Sequence, residues 1–426
     1  MTKPRYPMGC TAGSEETGIA FAPAGYAWNV NLNDGNTNRN HQTNHNQVRA
    51  VRSGECSDAV SFRALRVAWR EARRGKKPSQ DQLAFDANWI DGLLDLGRRL
   101  NASTWKPSPA TCFIATEPKA REIHAPAFAD RVVHHLLVPQ LEAIYEPTFI
   151  HDSFSNRRGK GTHAAVARIR QFIRQVHSGQ GGGYYLQLDI RNFFNRIDRP
   201  TLYALLKPRM ERAGLSLPVR RAVHALIREP LSTTGVIYGD PPALHARIPA
   251  YKRLENAPPG CGIAIGNLSS QFFANVYLNE LDQFVKHELR ATRYLRYVDD
   301  FVLIHESREQ LVEWQAAIER FLVDRLQLEL KPGPILQPLA AGVDFLGYVV
   351  YPHHTVVRRR VIGHCRQRLT AFERRHVRRG RLTSDRSVRE AVRATWASYL
   401  GHFLHANCYR LLERMHDRFP WLEQLS

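Results

Sequence analysis

Apolar and polar residues alternate along the chain with two different periods, and the change of period marks its elements. From about Ser57, apolar residues recur at helical spacing between arginines and lysines, which predicts a basic amphipathic helix. A second helix is predicted over Gln82–Leu100, and Lys106–Pro109 breaks the helical pattern. Strand-like and helical segments then alternate up to about Val350, and the chain from Arg358 onward has helical periodicity. Together these patterns predict an α+β fold that ends in helices.

The first 56 residues have a composition of their own, because asparagine is concentrated between positions 29 and 46. Trp28 and Val30 alternate with asparagines at the period of a half-buried strand, and Val48–Arg52 is a candidate partner strand. A single hairpin is only marginally stable in water. Residues 1–56 are therefore predicted to be a polar, poorly ordered leader.

The net charge of the chain indicates what kind of partner it binds. The 426 residues contain 60 Lys and Arg against 40 Asp and Glu, a net charge of +20, which predicts a polyanionic partner. A hydrophobic share of 43% is enough for a sizeable core and excludes a disordered basic tail. The arginines are spread among aromatic residues, so nucleic acid is favoured over a membrane. With neither a signal-like nor a membrane-spanning apolar run, a cytoplasmic location is expected.

The cysteines give no sign of a metal module. They lie far apart, form no Cys-x-x-Cys pair, and are Cys10, Cys56, Cys112, Cys261, Cys365 and Cys408. Neither a zinc module nor a disulfide framework is indicated, so ordinary reduced thiols are expected.

The sharpest local motif is the run Tyr294–Ile304, in which apolar β-formers flank Asp299 and Asp300 on both sides. This pattern predicts a hairpin with the two acids at its tip. Adjacent carboxylates repel one another, and a divalent cation would relieve the repulsion. Taken alone, the motif also allows a solvated Asp-Asp turn.

A second strand supplies another acid. Along Tyr184–Ile190, alternation puts Leu186 and Leu188 on one face and Gln187 and Asp189 on the other. An isolated aspartate at a strand end is usually a cap or turn residue. A two-metal site, however, needs oxygen ligands from separate strands around ions roughly 3.5–4 Å apart. Asp189 together with the acidic hairpin can supply those ligands.

With these motifs in this order, residues 110–350 resemble the reverse transcriptases, whose palm carries one aspartate on a first strand and a Tyr-x-Asp-Asp hairpin on the next pair. The segment Glu117–His124 is similar to the family's fingers segment that grips the incoming triphosphate, here with Lys119 and Arg121. The resemblance implies a right-hand polymerase fold with fingers and palm, built from antiparallel sheet plus helices, and a helical thumb.

A glycine-rich segment narrows the resemblance. Gly260–Gln271 is similar to the family's lead-in to a long palm helix, where glycines let the backbone approach template and nucleotide. Most reverse transcriptases have Gln before the glycine and Ser-Pro at the end, whereas this chain has Ile265–Gly266 and Ser270–Gln271. Isoleucine cannot donate the hydrogen bonds that glutamine would give near the nascent base pair, so lower selectivity is expected.

This variant pattern resembles the enzymes of diversity-generating retroelements. Lys252–Gly260, Val343–Tyr348 and Ser398–Asn407 are similar to the same group, while Ala264 departs from the proline expected there. The leader, in turn, looks like the variable end of a lectin-like target protein of such elements. We therefore hypothesise that residues 1 to about 54 are template-repeat sequence read as protein, or follow from an upstream start.

The resemblance implies an RNA-directed DNA polymerase that copies a template-repeat RNA into error-prone cDNA for mutagenic retrohoming, by two-metal nucleotidyl transfer. Two Mg²⁺ ions, for which Mn²⁺ can substitute, would be bound by Asp189, Asp299 and Asp300. The partners implied are template RNA, RNA/DNA duplex, deoxynucleoside triphosphates and a small helical accessory protein. The expected regions are the leader 1–56, a basic helical segment 57–109, fingers and palm 110–350, and a basic thumb 351–426.

Further side chains follow from the same resemblance. Phe194 lies where the family places an aromatic under the sugar, which favours deoxynucleotides, whereas Phe193 is expected in the core because neighbouring strand residues point opposite ways. Lys331 lies near a family lysine that can protonate pyrophosphate, although a surface role is the simpler interpretation. The stretch 358–381 suits duplex phosphates, since Glu373 is its only acid. Its candidate contacts are Arg358, Arg359, Arg360, Arg366, Arg374 and Arg375.

Two alternatives stay open. One is another prokaryotic reverse transcriptase, from a group II intron, a retron or a phage-defence system. The Ser-Gln ending and the absence of an endonuclease segment speak against the intron enzyme. The other is a non-catalytic, RNA-binding maturase-like protein, against which the three intact aspartates argue.

Overall fold

The computed structural model describes residues 26–30, 37–41, 59–75, 77–116, 120–180, 182–228 and 235–425. The chain divides into two compact units, Met1–Ser57 and Asp58–Ser426. In the first, Tyr26–Val30 (β1) pairs antiparallel with Thr37–His41 (β2). The predicted strand thus has a nearer partner than Val48–Arg52, which lies outside the described residues.

The second unit opens with three helices: Phe62–Arg73 (α1), Gln80–Ala87 (α2) and Trp89–Asn101 (α3). The single helix predicted over Gln82–Leu100 is therefore wrong. The backbone leaves the helical range at Asn88, where φ is −129°, and the break lets the Phe85 ring lie against Gly92. A β-carbon at Gly92 would approach that ring to 2.8 Å, so the local pattern could not reveal this contact.

Strands and helices then alternate, as the periodicity predicts. In the first half they are Ala110–Ala115 (β3), Arg121–Ala125 (β4), Phe128–Tyr145 (α4), Thr162–Gln180 (α5), Tyr184–Asp189 (β5), Phe193–Arg196 (α6), Arg199–Arg212 (α7), Leu217–Arg228 (α8), Val236–Tyr238 (β6) and Pro242–His245 (α9). Next come Leu268–Gln283 (α10), Tyr294–Tyr297 (β7), Asp300–His305 (β8), Arg308–Leu326 (α11), Ile335–Pro338 (β9), Val343–Phe345 (β10), Tyr348–Val350 (β11) and Thr355–Val357 (β12).

The carboxyl-terminal part is mainly helical, as expected. Its elements are Arg359–His376 (α12), Val377–Arg378 (β13), Arg381–Leu382 (β14), Arg386–Phe403 (α13) and Tyr409–Arg418 (α14). The two-residue strands form a small hairpin that the helical periodicity did not predict. In the described ranges, no helix combines the length and the apolar character needed to cross a bilayer.

The central sheet has the strand order β7-β8-β5-β9 and is antiparallel throughout. Strand β5 separates two hydrophobic cores, because Leu186 and Leu188 pack into one and Tyr185 packs into the other with Val302 and Ile304 of β8. Burial on both faces explains the dense apolar sequence of these strands. A second sheet, of order β4-β3-β6, combines an antiparallel and a parallel pairing.

A fully buried ion pair ties the β7–β8 hairpin to helix α10. Arg296 on β7 donates through Nε and Nη2 to the two carboxylate oxygens of Asp282 on α10, at 2.8 and 2.7 Å. Its Nη1 donates to the carbonyl oxygen of Val298 in the turn, at 3.0 Å, and the Tyr294 hydroxyl donates to the same carboxylate at 2.8 Å. The guanidinium therefore sets where the turn lies relative to the helix.

Replacing Asp282 with alanine is expected to lower the free energy of unfolding by roughly 3–5 kcal/mol, because Arg296 would stay buried without a counter-charge. Urea denaturation followed by tryptophan fluorescence measures this change. The matched control is Glu390→Ala, which removes the exposed pair with Arg386 on α13 and should change stability much less. Equal losses in the two variants would contradict the structural role of the buried pair.

Candidate active site

Three carboxylates meet where β5 and β8 pair. Asp189, the last residue of β5, lies directly opposite Asp300, the first residue of β8. The Ile190 backbone amide donates to the carbonyl oxygen of Asp299 at 3.3 Å, so the turn residue lies beside the same strand end. The hairpin and the alternation predicted for these two strands are confirmed, and the three predicted acids are brought together.

Asp189 and Asp300 share one face of the sheet with Gln187. Its Nε2 donates to Asp300 Oδ1 at 3.1 Å. This is the face on which Tyr185 packs into the second core. Asp189 and Asp300 therefore lie at the edge of this core, beyond its last apolar side chain, and are half-buried.

Burial and mutual repulsion perturb two of these groups. Burial first, and then the charge of Asp189, raises the pKa of Asp299 to about 6. Burial likewise raises the pKa of Asp300 to about 7, opposed by the Gln187 hydrogen bond and reinforced by the charges of Asp189 and Asp299. Near neutral pH the three carboxylates therefore repel one another in a poorly solvated place.

The turn that carries Asp299 is also strained. Val298 has φ of +58°, a left-handed conformation that a β-branched residue rarely adopts. Such a conformation costs of order 1–3 kcal/mol and persists where the surroundings over-determine it. The hydrogen bond from buried Arg296 to the Val298 carbonyl supplies that constraint.

The family model described as reverse transcriptase (RNA-dependent DNA polymerase) matches residues 115–350, more than half of the chain and all of this site. The chain belongs to this family. Membership confirms the predicted α+β, right-hand polymerase class of fold.

The curated relatives of this chain are distant. The group II intron-encoded protein LtrA of Lactococcus lactis subsp. cremoris is 26% identical over 189 residues, which cover 44% of this chain and 27% of LtrA. Protein YkfC of Escherichia coli (strain K12) is 20% identical over 278 residues, 57% of this chain and 64% of YkfC. The chain therefore spans about a quarter of LtrA and somewhat under two thirds of YkfC. Among solved structures, telomerase from Candida albicans in complex with a TWJ fragment of telomeric RNA has a TM-score of 0.39 and 9% identity, covering 76% of this chain and 61% of that one.

The donor set of the acidic site fits a divalent cation, and the family generally uses such ions. Asp189, Asp299 and Asp300 offer only hard oxygen ligands, the kind that Mg²⁺ prefers. Burial and then the charges of neighbouring carboxylates raise the pKa values of Asp299 and Asp300, and a cation would offset that negative charge. A cation bound there would hold Asp299 and Asp300 ionised.

Lys331 lies closer to the site than its surface interpretation implied. Its Nζ donates to Asp189 Oδ2 at 3.1 Å, and its backbone amide donates to the Asp189 carbonyl oxygen at 2.8 Å. The side chain is still 60% exposed, so it can move toward a ligand. Sequence spacing could not show this contact, because 142 positions separate the two residues.

Strand β4 meets the glycine-rich segment. The His124 amide donates to the Ile265 carbonyl oxygen at 2.7 Å. Gly266 has φ of +124°, and a β-carbon there would lie 2.9 Å from the His124 oxygen, so this approach requires glycine. Arg121 opens β4, and its charge lowers the pKa of Asp299. Lys119, the other predicted triphosphate ligand, lies outside the described residues.

Phe193 and Phe194 were predicted to point to opposite faces of a strand, but the structure does not place them on a strand. Both lie in the helical turn α6, because Asn192 adopts φ of +48° and ends the strand direction. Phe193 is nevertheless buried in the core, while Phe194 is half-buried, with the rings 5.3 Å apart edge to face. The predicted core role of Phe193 is confirmed, but by a different geometry.

The arginine-rich helix α12 is amphipathic. Cys365 and Leu369 are buried, whereas the predicted phosphate contacts Arg359, Arg360, Arg366, Arg374 and Arg375 are exposed. Arg358 differs, because its guanidinium forms an ion pair with Asp344 on β10. Its charge also opposes the rise in the pKa of Asp300.

Replacing Asp300 with asparagine is expected to raise the melting temperature by roughly 1–3 °C at pH 7.5 in the absence of divalent cations. The folded-state pKa of Asp300 is about 7 against an ordinary value of 3.8, so its ionisation costs stability as pH rises through that interval. At pH 4 the carboxyl is neutral in the folded protein, and the advantage of asparagine should vanish. Thermal denaturation at both pH values measures the difference.

The matched control is Asp324→Asn on the exposed side of α11, which should leave the melting temperature nearly unchanged at both pH values. A gain in Asp300→Asn that is equally large at pH 4 would contradict the repulsion described above.

Proposed function

We propose that this chain is an RNA-directed DNA polymerase, which adds deoxynucleotides to the 3′-hydroxyl of a primer paired with template RNA. The observation that carries this proposal is the register in which Asp189 lies opposite Asp300 with Asp299 in the adjoining turn. The family match over residues 115–350 supports the same function.

In this proposal Asp189, Asp299 and Asp300 hold two divalent cations, Mg²⁺ with Mn²⁺ as a substitute. Such ions, when bound, favour ionisation of the attacking hydroxyl and stabilise the charge of the leaving pyrophosphate. The rigid clamp of Arg296 on Asp282 holds the acidic turn in one position, so little reorganisation is needed during the reaction.

The cationic side chains complete the proposed site. Arg121 on β4, with Lys119, would bind the triphosphate of the incoming nucleotide, since guanidinium groups match phosphate oxygens. Lys331 holds its ammonium 3.1 Å from Asp189 and would supply a proton to pyrophosphate as it leaves. Phe194 would lie under the sugar and exclude a 2′-hydroxyl. The exposed arginines of α12 would follow duplex phosphates, which gives sequence-independent, salt-sensitive binding.

Asp299→Ala is expected to reduce primer extension on an RNA template roughly 1,000-fold, because a charge that stabilises the transition state is worth several kcal/mol. The assay measures deoxynucleotide incorporation with Mg²⁺ in excess, and Asp324→Ala is the control for a lost exposed carboxylate. Equal incorporation by wild type and Asp299→Ala would refute the polymerase assignment and favour a non-catalytic, RNA-binding protein.

For the biological setting, the proposal is a diversity-generating retroelement, in which the enzyme makes error-prone cDNA from a template-repeat RNA for mutagenic retrohoming. Ile265 in place of glutamine and the Ser270–Gln271 ending favour this setting. Because Ile265 is joined to β4 through its backbone, its half-buried side chain is held beside the fingers strand that carries Arg121. A small helical accessory protein would belong to the same assembly.

Ile265→Gln is expected to lower the error frequency opposite template adenines severalfold, because glutamine restores polar groups beside the nascent base pair. Sequencing of cDNA made on a template of known sequence measures the error at each base. Ile265→Leu, which keeps an apolar side chain of equal size, should retain the wild-type spectrum. Identical spectra for all three proteins would remove isoleucine as the cause of infidelity.

The similarity to LtrA favours a second candidate setting, a group II intron-like reverse transcriptase. The DNA flanking the gene separates the two. A near-duplicate repeat that differs chiefly at adenines belongs to a diversity-generating element, whereas intron sequence on both sides belongs to the alternative.

A further inference from the structure

A second cluster of potential metal ligands lies at the β4-β3-β6 sheet and the short helix α9, and none of the three aspartates belongs to it. Cys112 on β3, Glu122 on β4 and His245 at the end of α9 each offer a ligand atom, and these atoms lie within 4.8 Å of one another. Cys112 pairs with His124 and Ile114 pairs with Glu122, so cross-strand alternation puts the thiol and the carboxylate on the same face of the sheet.

The state of His245 points to a ligand. The residue is 8% exposed, and neither ring nitrogen has a hydrogen-bond partner among the described residues. Leaving a buried polar atom without a partner costs about 1–3 kcal/mol, so native proteins seldom do so without a reason. The Tyr238 ring packs edge to face on the imidazole at 4.9 Å, which restricts its orientation.

The chemistry of the three groups selects the ion. Thiolate, imidazole and carboxylate together form the ligand set of Zn²⁺, whereas Mg²⁺ prefers oxygen alone. Around tetrahedral zinc, ligand atoms lie roughly 3.5 Å apart, so side-chain adjustments of about 1 Å would close this cluster on an ion. A cavity lined by Glu122, His124 and Tyr238 lies beside the cluster.

We propose that Cys112, Glu122 and His245 form a zinc site in the fingers of this protein, with water or the buried His124 in the fourth position. The ion would join β3, β4 and α9. Since the amide of His124 on β4 bonds Ile265, the site would stiffen the strand that carries Arg121 at its start.

Zinc content of the full-length chain tests the proposal independently of polymerase activity. Protein stripped by a chelator is dialysed against Zn²⁺ with Mg²⁺ in excess, to occupy all-oxygen sites, and bound zinc is measured by mass spectrometry. Wild type is expected to retain about one zinc per chain, and Cys112→Ala and His245→Gln to lose it. Cys365→Ala is the matched control, because both thiols are fully buried but Cys365 lies on α12, in the core that also contains Tyr185. Equal zinc content in wild type and Cys112→Ala overturns the proposal.

A measurement on the wild-type chain covers the case in which a variant fails to fold. Co²⁺ loaded in place of zinc should give a thiolate-to-cobalt charge-transfer band, which Cys365→Ala should retain. Bound cobalt without that band overturns the proposal. Zinc retained by a chain that cannot extend a primer would count against the polymerase function alone.

Discussion

The acidic site depends on one buried ion pair, Arg296 with Asp282. Taking two charges out of water costs several kcal/mol for each ion, and the cost is offset only if the remaining hydrogen-bonding groups are satisfied. Here the guanidinium also bonds the Asn275 and Ser153 side chains and the Val298 carbonyl. Because all its partners are fixed, the pair holds a valine in a left-handed turn and so aims Asp299 at the end of β5.

The charge pattern around that turn follows from the same constraint. Three carboxylates are forced together by the β5–β8 register, and burial weakens their solvation. Cationic side chains from separate elements partly offset this charge: Lys331 bonds Asp189, while Arg121 and Arg358 oppose the rise in the pKa values of Asp299 and Asp300. Basic side chains of a chain with net charge +20 thus lie beside a small negative centre, a combination that attracts both polyanions and divalent cations.

The β4-β3-β6 sheet links three features that are distant in the sequence. Strand β4 begins with Arg121, carries Glu122 and binds the Ile265 backbone through His124. The proposed zinc site would therefore act on the same strand as the proposed triphosphate and base-pair contacts. Its effect would be mechanical, through the position of the strand, because no ligand of the zinc belongs to the acidic centre.

Local patterns were enough to predict strand β5, the acidic β7–β8 hairpin and the long helix α10. Apolar residues mark the strands because both faces of the sheet are buried, and apolar residues at helical spacing mark α10. Asp189, Asp299 and Asp300 could therefore be selected from the sequence. Contacts between distant segments left no such signal. The break at Asn88 depends on Phe85 packing on Gly92, and Lys331 meets Asp189 across 142 positions. Arg296 gave only a weak signal, a cation within an apolar strand, because its counter-ion lies on another element.

Cys112 looked like an ordinary thiol in the sequence, because strand pairing and a short helix bring Glu122 and His245 beside it. Periodicity along one segment carries no information about which side chains another segment will bring beside it.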